Sequence, residues 1–129
     1  METELKELFE QGLKMRRELI GDAYVDKAIE NATDFNMAFQ ELATEWVWGW
    51  LWKREGLSKR ERILINLAIL SATNMPHEVR LYVKIAQKFG VSPEEVREVF
   101  LHTACYSGVP RGLEAFRIAT EVYESGEKL

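Results

Sequence analysis

A single cysteine, Cys105, among 129 residues leaves no internal disulfide to make, and no Cys/His cluster has zinc-finger spacing. Two-thiol relays and structural zinc within one chain are excluded. Proline and glycine are also scarce, at three and eight, so there is no linker-like or low-complexity stretch. No excess of basic charge exists: the net charge is −4, with Lys and Arg mixed among Asp and Glu, and neither nucleic acid nor an anionic membrane is an expected partner. The longest apolar run, Ile63 to Leu70, is broken by Asn66 and falls far short of the roughly 20 residues that cross a bilayer. The start, Met1 to Glu7, lacks the basic and apolar stretches of a secretory signal, which makes the cytoplasm the expected location. There is no phosphate-binding glycine loop and no metal motif such as H-E-x-x-H.

What the sequence does contain is helical periodicity. A composition of 47% hydrophobic and 29% charged residues is that of a folded chain with a real core, and the length suits one domain, residues 1–129, without an internal boundary. Leu5, Leu8, Phe9, Gly12, Leu13, Met15, Arg16 and Leu19 repeat at three and four, predicting a first helix that stops before Gly21. A short second helix is predicted over 23–32. Asp34 is placed to cap a longer third helix carrying Phe35, Phe39, Leu42 and Trp46.

Two capping boxes mark later helix starts, because a Ser side chain and a Glu three residues on can satisfy each other's orphan backbone donors. Ser58-Lys59-Arg60-Glu61 opens a fourth helix over 59–73, and Ser92-Pro93-Glu94-Glu95 opens a sixth. Pro76 suits the first turn of a fifth helix ending near Phe89, with Gly90 behind it. Gly108-Val109-Pro110 ends the sixth, and Leu113, Phe116, Ile118, Ala119 and Val122 predict a final helix fraying at Ser125-Gly126. The fold class is therefore all-α, a single bundle of six to seven helices.

One helix has too much apolar surface for a single chain. In Trp46-Val47-Trp48-Gly49-Trp50-Leu51-Trp52, helical spacing pairs Trp46 with Trp50 and Trp48 with Trp52 on faces about 200° apart. An intramolecular core can cover one face only, so an oligomer contact is expected for the other.

Candidate chemistry centres on His77 and His102, the only side chains whose unperturbed pKa lies near neutrality. His102 and Tyr106 share a side of the sixth helix, roughly 120° and 80° from its apolar stripe of Val96, Val99, Phe100, Thr103 and Ala104. Leu101 and Cys105 lie on that outward side too. Two readings of His102 stay open: a solvated or subunit-contact histidine, or a pocket residue. Arg62 and Asn66 share a helix face, as do Glu78, Tyr82 and Ile85. Arg62 is either a carboxylate clamp or a solvated arginine. Cys105 reads as packing and the tryptophans as core or interface, with a pocket wall as the alternative.

Three stretches in order resemble the carboxymuconolactone decarboxylase family: Asp34-Phe35-Asn36 with Phe39-Gln40-Glu41; Trp48-Gly49 with Trp52; and His102-Thr103-Ala104 leading to Tyr106 and Gly108-Val109-Pro110. Gly56-Leu57, Arg62, and Asn74 before Glu78 and Arg80 fall at family-like spacings. The resemblance implies an alkylhydroperoxidase D-like all-helical fold, assembled as trimers or hexamers. It implies a cofactor-free lyase of aromatic-compound degradation, which decarboxylates a small carboxylated lactone or related acid. By the same resemblance, His102, Glu78 and Arg62 are the catalytic candidates, and His77, Arg80, Tyr82, Tyr106 and Trp48 the substrate-binding ones.

Two departures accompany the match: Tyr82 stands where the decarboxylases commonly show His, and Trp50 where an acidic residue often follows Trp-Gly. Met75 and Glu78 occupy the positions of the peroxidase branch's Cys-x-x-Cys, so two-thiol peroxide reduction is not expected. The alternatives are a non-catalytic oligomeric binding or scaffold protein, and a redox protein using Cys105.

Overall fold

Both capping boxes form as the sequence predicts. Ser58 Oγ accepts from Glu61 N at 3.1 Å while Glu61 Oε1 accepts from Ser58 N at 2.9 Å, and Ser92 and Glu95 repeat the exchange. In this computed structural model, which describes residues 1–129, the chain is helical throughout and contains no strand. It forms two compact units, Met1–Leu57 and Ser58–Leu129.

In the first unit, α1 (Glu2–Ile20) and α2 (Asp22–Glu30) meet at a corner where Arg17 pairs with Asp22 at 3.2 Å and Asp26 at 2.8 Å. Leu19, Ile20 and Val25 are buried there. The third helix differs from the sequence prediction at both ends. Asp34 does not cap it: Asn36 turns its amide oxygen back onto Thr33 N at 2.7 Å, the chain closes a turn, and α3 begins only at Met37. After six residues α3 (Met37–Leu42) widens into a π-helix (Ala43–Leu51), whose register shows in Trp52 N donating to Val47 O, five residues back, at 3.1 Å. Apolar spacing over two turns cannot separate this geometry from an α-helix.

The π-helix packs on α1 at backbone contact. A Cβ on Gly12 would lie 1.8 Å from Thr44 O, and one on Gly49 would lie 2.3 Å from Leu8 O, so only hydrogen fits at either position. Trp48 and Trp52 stack with ring centroids 5.3 Å apart and are buried, whereas Trp46 and Trp50 are 45% and 48% exposed. The two tryptophan pairs thus point to opposite fates, and Phe35, Phe39 and Leu42 join the exposed set.

The second unit packs four helices: α4 (Lys59–Ala72), α5 (Pro76–Lys88), α6 (Pro93–Ser107) and α7 (Val109–Ser125). Ile63, Leu67, Val83, Ile85, Phe100 and Val122 are wholly buried, and Phe100 meets Phe116 edge to face at 5.9 Å. On α7 the buried stripe is Gly112, Ala115, Ile118, Ala119 and Val122. Leu113, one of the apolar residues that predict this helix, follows Gly112 by a 100° step and is 69% exposed. Asn74 links α4 to α5 with φ of 59°, a left-handed conformation that asparagine tolerates.

Candidate active site

α6 carries the clearest pair. His102 and Tyr106 sit one turn apart, and their rings stack with centroids 6.2 Å apart and planes 11° from parallel. Both side chains are exposed, and Leu101, Val109 and Leu113 expose apolar surface on α6 and the start of α7. One residue from His102 the helix turns inward: Thr103 is buried and lies 2.8 Å from the hydroxyl of Ser71 on α4.

The first turn of α5 places His77 and Glu78 side by side, with His77 Nε2 3.9 Å from Glu78 Oε2. Glu78 lies at the positive end of the α5 dipole, which favours a carboxylate there. Tyr82, one turn further on, is buried. Beside this turn a cavity of about 10 Å³, room for about one water, lies among Ser71, Asn74, Met75, Pro76, Arg111 and Glu114.

The cations differ in their commitments. Arg62 is half-buried on α4. Arg80 is held by acids of its own unit: its Nη1 donates to both oxygens of Glu127 at 3.1 and 3.2 Å, and its Nη2 to Glu121. These bonds, that to Glu121 foremost, hold the Arg80 guanidinium above its ordinary proton affinity. Trp48, in the Met1–Leu57 unit, is committed to its stack with Trp52. Cys105 is exposed on α6. No three His, Cys, Asp or Glu side chains converge as metal ligands would.

The geometry therefore joins His102 to Tyr106 and His77 to Glu78. It leaves Arg62 and Tyr82 on separate helices of the same unit and binds Arg80 to Glu121 and Glu127. The sequence profile of the carboxymuconolactone decarboxylase family matches residues 37–121. The chain belongs to the carboxymuconolactone decarboxylase family. The match begins at α3 and runs deep into α7, so the π-helix, Arg62, the α5 turn and the His102/Tyr106 pair all lie inside it.

Two relatives of this decarboxylase family cover most of the chain. The nitrosuccinic acid decarboxylase of Metarhizium robertsii is 40% identical over 110 residues, 85% of this chain and 77% of its own length. The 4-carboxymuconolactone decarboxylase of Acinetobacter baylyi is 34% identical over 116 residues, 90% of this chain and 87% of its own. A 4-carboxymuconolactone decarboxylase from Pseudomonas putida is 44% identical over a shorter 39-residue stretch, 30% of this chain and 81% of its own.

Sequence reasoning missed two polar features of this family member. The buried Ser71–Thr103 bridge hides among residues that read as helix filler. Arg16 is buried with its guanidinium against Gln40 and Thr44. The signal that could have found it was an arginine inside the 3/4 pattern of α1, at a position where the helix wants an apolar side chain.

Proposed function

We propose that the chain is a carboxy-lyase that decarboxylates a small carboxylated substrate without a cofactor. Its two long relatives support the reading, since both are decarboxylases and each aligns along most of this chain. In the reaction the bond between the departing carboxylate and its carbon breaks, and carbon dioxide leaves. The electron pair passes through an adjoining double bond or electron-withdrawing group, such as a lactone carbonyl, and a proton then returns to carbon. The catalyst must supply positive charge or donors where the anion develops, and an acid that works near neutral pH.

His102 is the proposed proton donor, and the observation that carries this assignment is its stack with Tyr106 on an outward face that also exposes Leu101. Tyr106 holds the ring and contacts substrate. Glu78 orients substrate or donor from the positive end of α5, with His77 next to it as a substrate contact. Arg62 supplies the charge that meets the developing anion. Arg80 and Tyr82 are proposed binding residues; Arg80 reaches a substrate only by leaving Glu121 and Glu127. Trp48 is a proposed apolar contact within its own unit.

The working form is proposed to be a homo-oligomer, a trimer or hexamer in the cytoplasm. Decarboxylation gains from a water-poor site, and the exposed apolar side chains of both units call for cover that further copies would provide. The Tyr82 and Trp50 departures bear on which acid is used, because both stand at positions where the family's decarboxylases commonly carry a different side chain.

The test is carbon dioxide release from 4-carboxymuconolactone and from nitrosuccinic acid, with His102→Gln and Arg62→Ala beside the wild type. Turnover of either acid, falling by about a hundredfold or more in His102→Gln, is the expected result. Full turnover in both variants would remove these roles. Saturable quenching of tryptophan fluorescence by the acids without their consumption would instead make the protein a binding module.

A further inference from the structure

Arg80, Lys84 and Lys88 follow one another at intervals of four on α5, which sets three cations in a row along one side of the helix. Like charges at that spacing repel, so the row gains from anions placed beside it. Toward its start they are present. Glu127 accepts from Arg80 Nη1 at 3.1 and 3.2 Å and meets Lys84 Nζ at 3.3 Å, and Glu121 accepts from Arg80 Nη2. Two members of the row thus already hold a carboxylate between them.

The far end of the row borders a cavity of about 330 Å³, lined by Lys84, Gln87, Lys88, Lys128 and Leu129. Three ammonium groups line it, and no acidic side chain does. Glu127 and the main-chain carboxylate of Leu129 offset part of this charge and leave positive charge in excess. The negative end of the α5 dipole accounts for Lys88, which stands in the last turn, but not for Lys128, which follows α7. The Phe89 ring, its centroid 5.7 Å from Lys88 Nζ, steadies that ammonium. In a chain of net charge −4, cations gathered round a cavity run against the overall field. The volume lies at the lower end of the roughly 300–1,000 Å³ of small-molecule sites. Lys88 and Lys128 are exposed, so a ligand has access.

We propose that this cavity binds a small oxyanion carrying two or more negative charges, gripped by Lys84, Lys88 and Lys128. An ammonium is a point charge with rotatable donors, so carboxylate and phosphate oxygens suit it alike, and charge and size define the ligand. Glu78 and Lys88 stand at opposite ends of α5, roughly 15 Å apart along the helix. The cavity is therefore a second site, and it is independent of the roles given to His102, Arg62 and Glu78.

The experiment is calorimetry on the full chain at about 0.15 M salt, where diffuse surface fields are screened. Citrate and pyrophosphate are the probes, one presenting carboxylates and the other phosphates, and acetate at matched ionic strength is the singly charged control. At least one probe is expected to bind saturably at a single site while acetate does not, and the tighter of the two names the source of the oxyanion. Lys88→Gln and Lys128→Gln change exposed side chains and keep the wild-type melting temperature, yet each weakens the probe by about fivefold or more. Lys14→Gln removes the same charge from exposed surface of α1 and leaves binding as it was. Heats for both probes no greater than for acetate, or a loss in Lys14→Gln equal to that in Lys88→Gln, would overturn the proposal and leave the three lysines as solvated surface.

Discussion

Ser71 Oγ lies 2.8 Å from Thr103 Oγ1, with both side chains buried, so that α4 is tied to α6 one residue away from His102. The protons can be assigned. Ser71 has a single hydroxyl proton and a carbonyl, that of Leu67, at 2.7 Å, so it donates there and accepts from Thr103. Thr103 has only a longer alternative, Val99 O at 3.3 Å. The chain Thr103 to Ser71 to Leu67 therefore sets the roll of α6 about its own axis, and with it the direction in which His102 points.

Thr103→Val removes the donor and leaves the buried Ser71 hydroxyl short of a partner. A loss of about 1–3 kcal/mol in urea unfolding is expected, because an orphaned buried acceptor costs more than the net worth of its bond. Thr103→Ser, which keeps the hydroxyl, should recover most of the difference. Equal losses in both variants would show that methyl packing, and not the bridge, stabilises the contact.

Gly12 and Gly49 invite a prediction of opposite sign to the usual one. At an open helix position Gly→Ala stabilises by about 1 kcal/mol. Here the added carbon would meet Thr44 O or Leu8 O, which are backbone atoms that cannot rotate away. Gly12→Ala should therefore destabilise the Met1–Leu57 unit by about 1–3 kcal/mol or more. The near-ultraviolet dichroism of the stacked Trp48/Trp52 pair reports the loss. An unchanged aromatic signal and melting temperature would mean that α1 and the π-helix do not touch as described.

These contacts mark where the sequence was legible. Ser58/Glu61 and Ser92/Glu95 are local exchanges written within four residues, and helix starts at both follow from them without reference to the rest of the fold. The outward side of α6 was legible for a similar reason: His102 and Tyr106 stand off the apolar stripe by angle alone, and both are exposed. The start of α3 was not, since Asp34 and Asn36 are equally good capping residues and the choice was made by the Asn36–Thr33 bond. Arg16 was hidden by its own helix, because a charged residue in a 3/4 pattern reads as an imperfection until Gln40 and Thr44, more than twenty residues away, are brought to it.

Along α7, Arg117 Nε donates to Glu114 at 3.0 Å, and Arg117 also bonds Glu121, which Arg80 of α5 approaches from the other side. The Arg117 bond holds the Glu114 carboxyl below its ordinary range, and the Arg80 bond, with Arg117 adding, does the same for Glu121. A carboxyl depressed in the folded state contributes stability that is present above its unfolded pKa, about 4.3, and is lost as pH falls through the folded value. Arg117→Gln should lower stability slightly at neutral pH, and its difference from the wild type should shrink as pH falls through the folded carboxyl values, where the acids are protonated in both chains. About 1 M salt should shrink the difference, because these groups face solvent. A neutral-pH stability identical to that of the wild type would show that the exposed chain of charges contributes nothing.

The alkaline limb belongs to Tyr123. It borders a groove of about 200 Å³ with Pro93, Val96, Phe100 and Phe116, and its hydroxyl is covered and makes no hydrogen bond. Burial foremost, and the nearby charge of Glu94 second, push the phenol up to about 12. An unfolded tyrosine ionises near pH 10, so between about 10 and 12 the unfolded chain has released this proton and the folded one has not. The unfolded state then binds fewer protons, and stability falls as pH rises across that window. Tyr123→Phe removes both the titration and an unsatisfied buried group. It should be neutral to stabilising at pH 7, since the hydroxyl has no bond to lose, and should flatten the alkaline decline. Phenolate absorbance should lose a transition near pH 12 in the same variant. A marked loss of stability at pH 7 in Tyr123→Phe would mean that the hydroxyl has a partner after all, and would shift the alkaline sensitivity to another group.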